Sequence, residues 1–122
     1  MNPSTKELAL QICENMDDKK AKDIVVIDIT DRTVIADAFV VGSGRSDQQV
    51  RAIVDEVEEQ MEKKLPLLRK EGYREGRWVV LDYGDILVHV FHDEERKYYD
   101  LERLWADEDN LLRFHSAAES RD

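Results

Sequence analysis

Only one cysteine, Cys13, stands among the 122 residues. No disulfide within the chain and no multi-cysteine zinc site can therefore be drawn. Cys13 falls among apolar residues at helical spacing, which points to a buried thiol rather than a nucleophile. Positive charge is also in deficit: 18 Lys and Arg stand against 28 Asp and Glu, a formal net charge of -10. An acid-rich surface repels phosphate backbones and anionic lipid, so neither DNA nor a membrane is expected as a direct partner, and a basic protein is favoured. No apolar run approaches the roughly 20 residues needed to span a bilayer. The opening MNPSTKELAL has neither the apolar core of a secretion signal nor an Arg-rich leader, so a cytoplasmic protein is expected. No internal repeat or low-complexity block is visible.

What remains is enough for one domain. The chain is 42% hydrophobic, which allows one ordinary core, and 38% charged, well above the roughly 25% typical of soluble domains. Ser4 and Glu7 have the spacing of a capping box, and Leu8, Ala9, Ile12, Cys13 and Met16 follow at helical spacing, predicting a helix over 5–20. The β-branched run Ile24–Ile29 predicts a strand, and 38–42 a second one, joined by a turn short enough for antiparallel pairing. Ser46 and Gln49 repeat the capping signal. Val50, Ile53, Val54, Val57 and Met61 mark one face of a helix over 47–64, which Pro66 ends. Gly72 and Gly76 bracket a polar loop. Strands follow at 78–82 and 85–91, then a helix over 94–105 with Tyr98, Leu101, Leu104 and Trp105 as its buried side. The order α-β-β-α-β-β-α predicts an α/β (α+β) domain over 1–106, a mixed sheet with helices mainly on one face. An acidic, loose tail is expected over 107–122, with at most a short turn near Leu111–Phe114.

The most informative segment is the second hairpin. With Tyr83 and Gly84 as central turn residues, Leu81 faces Ile86, Val79 faces Val88 and Trp78 faces His89; a turn one residue later, at Gly84-Asp85, changes these cross-strand pairs but not which side chains share a face within each strand. Alternation then gives one aliphatic face, Val79, Leu81, Ile86, Val88 and Val90, suited to burial under helices. The other carries Trp78, Val80, Asp82, Asp85, Leu87 and His89, too apolar for a plain solvated surface and too polar for a core. A Trp among small apolar groups and a few charges is the composition of an interface centre. A segment of the chain's own, such as the tail, folding over this face is the competing reading.

Chemistry finds less support. Gly42-Ser43-Gly44-Arg45-Ser46 leads from a strand into a helix start, where free N–H groups can bind phosphate; Ser46 is explained by capping, and a glycine turn is the expected role. Nucleotidyl transfer also needs paired carboxylates for a divalent metal, normally Asp-x-Asp on one strand. No predicted strand carries that motif. Asp82 and Asp85 straddle a turn, Asp28 and Asp31 a strand end, and His89 and His92 point to opposite sides of an extended segment. No metal site, cofactor or catalytic residue is assigned.

Three segments resemble a known family, the ribosomal silencing factors, also called the Iojap family. These are Ala36–Ser46 with Gln49–Ile53, then Trp78–Phe91, and Arg96–Trp105. The second is the most specific, because Trp, Asp-Tyr-Gly-Asp and His occur in order at fixed offsets. The resemblance covers roughly residues 5 to 107. It implies a nucleotidyltransferase-like fold without the catalytic carboxylates, and a non-enzymatic role: binding the large ribosomal subunit through its basic protein L-14, blocking docking of the small subunit, and so lowering translation when nutrients are scarce. The implied contact residues are Trp78, Val80, Asp82, Tyr83, Asp85, Leu87 and His89. Arg45, where the family often has Asn, and Asp47-Gln48, often a more basic pair, are departures near a helix start. A nucleotidyltransferase acting through Gly42-Ser43-Gly44 and an adaptor with a non-ribosomal partner remain as alternatives. An exposed apolar strand face also allows a homodimer of the free chain.

Overall fold

The β-branched segments of the chain pair into one six-stranded sheet in a computed structural model that describes residues 1–115. In chain order the elements are α1 (Pro3–Asp18), β1 (Lys22–Asp28), β2 (Ala38–Gly44), α2 (Asp47–Met61), β3 (Arg69–Glu71), β4 (Trp78–Asp82), β5 (Ile86–His92), α3 (Asp93–Tyr99), α4 (Leu101–Trp105) and β6 (Leu111–Arg113). The strand order is β3-β4-β5-β2-β1-β6. All neighbours run antiparallel except β2 and β5, which are parallel. The mixed α+β sheet expected from the sequence is thus observed.

The apolar stripes of α1 and α2 cover one face. Ala9, Ile12, Cys13 and Met16 of α1 and Val50, Ile53, Val54, Val57 and Met61 of α2 pack with Val26, Val40, Leu81, Val88 and Val90 of the sheet. Burial pushes the Cys13 thiol up to about 12, so it is an inert core group. The opposite face carries Val25, Ile27, Phe39, Val41 and Phe91, and is covered at one end by Leu101 and Trp105 from α4.

Several local readings are corrected. The cap of α1 is Asn2, whose side chain accepts from the Thr5 N–H at 2.8 Å, with Pro3 in the first helical position; Ser4 is inside the helix. The last helix is two short ones, broken at Asp100, which adopts φ 48°. That break turns Tyr98 and Leu104 to solvent, 81% and 70% exposed, while Leu101 is buried and Trp105 half-buried. The strand β3, all charged, lies in a stretch to which the sequence assigns no element. Residues 107–115 are not a loose tail: β6 pairs with β1, and Asn110 donates to the carbonyls of Asp28 and Trp105 at 3.0 and 2.8 Å. Residues 116–122 of the expected tail lie outside the described residues.

Gly72 fixes the approach to β4. It has φ 81°, and a Cβ there would lie 2.0 Å from the Trp78 carbonyl oxygen. Gly72→Ala is expected to lower unfolding free energy by about 1–2 kcal/mol, since both backbone conformation and a backbone contact oppose it. A urea melt reads this directly; an unchanged midpoint would contradict it.

Candidate docking face

Strand alternation builds the site. The β4–β5 register places Trp78 opposite Phe91, Val79 opposite Val90, Val80 opposite His89, Leu81 opposite Val88 and Asp82 opposite Leu87. This is two residues away from the expected pairing, because the two-residue turn centres on Gly84-Asp85, one residue later than Tyr83-Gly84: the Tyr83 N–H donates to the Ile86 carbonyl at 3.0 Å. A shift of two preserves which side chains share a face. The aliphatic set Val79, Leu81, Ile86, Val88 and Val90 therefore lies buried under α1 and α2, as expected. The mixed set Trp78, Val80, Asp82, Leu87 and His89 lies on the other face.

That mixed set is not uniformly accessible. Trp78, Val80, Asp82 and Leu87 are half-buried, and Asp85 is exposed in the turn. His89 is only 6% exposed, so it is not a surface contact. Tyr83, also 6% exposed, packs with the α1–α2 core on the opposite side of the sheet and leaves this set altogether. Burial pushes its hydroxyl up to about 12, with the Glu58 carboxylate adding to the effect. Asp82 turns back on the hairpin, its Oδ1 accepting the Gly84 N–H at 2.8 Å.

Trp78 is held by Phe91 and Tyr99, both outside the expected contact set, and by His89 within it. Its ring stacks on Phe91 at 4.9 Å between centroids and meets Tyr99 of α3 at 4.6 Å. Its indole Nε1–H donates to His89 Nδ1 at 3.1 Å. Burial lowers the His89 imidazole from 6.5 to about 4, so the ring is neutral at physiological pH and its Nδ1 lone pair is available. Phe91 and Tyr99 both fall in the family-like segments, but as a core residue and a helix residue they gave no separate signal. Beside them Arg96 is buried, donating to the carbonyls of Lys22 and Asp23 at 3.0 and 2.5 Å and to Ser43 Oγ at 3.2 Å. It ties α3, and with it Tyr99, to the sheet.

The Gly-Ser segment is not a turn. Gly42, Ser43 and Gly44 lie inside β2, fully buried and paired with Val90, Phe91 and His92. A Cβ on Gly42 would lie 2.4 Å from Met16 Cε, so the glycine admits α1 close to the sheet. The next N–H, of Arg45, is taken by Gln49 Oε1 at 2.7 Å, and Ser46 caps α2 by accepting from the Gln49 N–H at 3.1 Å. This geometry presents no phosphate cradle. Among the described residues no group of three or more His, Cys, Asp or Glu is arranged to hold a metal ion, and no helix is long and apolar enough to cross a membrane.

Fold and face together define a small α+β domain with a six-stranded mixed sheet, one face buried under two helices and the other left half-open around a fixed tryptophan. The family profile described as ribosomal silencing factor during starvation matches residues 2–122. The chain is 46% identical over 92 residues to the ribosomal silencing factor of Bacillus subtilis, covering 75% of this chain and 78% of that one. It is 45% identical over 106 residues to that of Halalkalibacterium halodurans, covering 85% and 90%. A crystal structure of a Chromobacterium violaceum protein superposes with TM-score 0.80 at 31% identity, covering 96% of this chain and 98% of that one. The chain belongs to the ribosomal silencing factor family.

Proposed function

We propose that the chain binds the large ribosomal subunit through its protein L-14 and, seated there, blocks association with the small subunit and so represses translation. The observation that carries this reading is the half-open sheet face: Trp78, Val80 and Leu87 form an apolar strip with Asp82 and Asp85 at its hairpin end. Membership of a family of ribosomal silencing factors supplies the kind of target. An acidic chain of net charge -10 suits a basic ribosomal protein. The mechanism is steric and calls for no chemistry, cofactor or metal. The face is also where a second copy would seat in the absence of the ribosome.

Co-sedimentation tests it. The chain should travel with purified large subunits and not with small ones; sedimentation with neither would sink the proposal. Charge should act on encounter rather than on residence. Asp82 and Asp85 are each worth about 0–1 kcal/mol in partly exposed pairs, yet complementary charge speeds association. Asp85→Lys is therefore expected to slow association with L-14 more than it speeds dissociation, and rising salt to do the same to the unaltered chain. Surface-based kinetics at low and high salt reads both; a salt-independent association rate would show that the acids serve solubility alone.

A further inference from the structure

We propose that His89 is a positioning residue: its Nδ1 fixes the indole of Trp78 in the orientation in which that ring meets the partner. The inference rests on the docking reading above and assigns His89 a role other than contact. His89 and Trp78 are not cross-strand partners; His89 stands opposite Val80 and Trp78 opposite Phe91. The 3.1 Å bond from Nε1–H to Nδ1 therefore spans the diagonal between β4 and β5, a reach that needs long side chains. The bond consumes the only polar atom of the Trp78 side chain. The partner consequently meets indole carbon, which suits aliphatic stems and cationic groups of a basic protein and not a lone acceptor.

The other imidazole nitrogen shows that this histidine is not there for its own stability. With Nδ1 accepting, the neutral ring carries its proton on Nε2. Nε2 is buried and has no hydrogen-bond partner among the described residues. Around the imidazole stand aromatic rings: Phe39 edge-on at 4.7 Å, Trp78 at 6.0 Å and Phe91 at 6.3 Å between centroids. An apolar side chain would pack there without an orphaned N–H. A locally unfavourable residue whose one satisfied atom orients an interface ring is what a pre-organised binding position looks like.

The test uses the full chain with L-14, combining calorimetry, thermal melts and the indole N–H resonance of Trp78. His89→Phe removes the acceptor and keeps an aromatic ring; His89→Leu makes the same comparison with a smaller group should Phe crowd Phe39. His89→Asn places an oxygen near the former Nδ1. In the Phe or Leu variant the Tm is expected to stay or rise at pH 7.5, the indole resonance to move, and affinity to fall about tenfold. The Asn variant should restore the resonance and most of the affinity. In a Trp78→Ala background, removing His89 should cost nothing further. Unchanged affinity in both apolar variants, or an equal loss with and without Trp78, would overturn the assignment. If Trp78→Ala itself binds as tightly as the unaltered chain, the docking reading fails and the positioning role falls with it.

Discussion

Trp78→Ala is expected to weaken binding to L-14 by about 2 kcal/mol or more, roughly thirtyfold, with the loss mainly in the dissociation rate. The size follows from the setting. Trp78 is the largest side chain of the β4–β5 hairpin, and three contacts hold it in place: Phe91 beneath, Tyr99 beside, and the hydrogen bond to His89. A ring fixed before encounter gives up little rotamer freedom on binding. Truncation also removes these internal contacts, so a smaller loss of stability accompanies it, and affinity is to be measured well below the variant's melting range. The variant should still fold, because the buried aliphatic face under α1 and α2 is untouched. A variant that melts early yet binds normally when folded would show that Trp78 is a core residue only.

Acid should destabilise the chain through His89, and the sign is fixed by burial. The imidazole lies at about 4 in the folded state against 6.5 in the open chain. Above pH 7 both forms are neutral and nothing is lost. As pH falls from 6.5 the unfolded chain binds a proton that the folded chain refuses, so stability drops until about pH 4. At 1.36 kcal/mol per pH unit the gap corresponds to about 3 kcal/mol. Burial alone causes the shift, and aromatic rings, not charges, stand around the group. Denaturant melts between pH 7 and pH 4.5 measure it. His89→Phe should flatten the slope between pH 6.5 and 5, before most carboxylates titrate. An equal slope in both proteins would place the acid sensitivity elsewhere.

The legible parts of this fold are those where local pattern and burial agree. Both long helices and four of the strands follow from apolar periodicity, and the two faces of the β4–β5 hairpin survive a register error because alternation has period two. What failed depends on partners distant in sequence. Leu111–Arg113 is too short and mixed to announce a strand and becomes one only beside β1. Arg69–Glu71 is all charged and sits at the sheet edge, where charge is tolerated. Gly42 and Gly44 read as a break, yet glycine there makes room inside the sheet for Met16 and for the Gln49 side chain. Tyr98 and Leu104 fit a helical stripe that the left-handed Asp100 interrupts. At the site, alternation correctly grouped Trp78, Val80, Asp82, Leu87 and His89 on one face, but it could not show that the aromatic cluster buries His89; Tyr83, which only the family resemblance implied as a contact, continues the alternation of Val79 and Leu81 onto the helix-covered face.

On the proposed function, this face occupies the large subunit in place of the small one. Purified subunits mixed at a magnesium concentration that favours joining, with the chain added first, test it in a sucrose gradient. The account predicts that the unaltered chain lowers the joined peak in proportion to its occupancy of large subunits, and that Trp78→Ala at equal concentration leaves joining intact. Joining that proceeds normally on large subunits carrying the unaltered chain would contradict it.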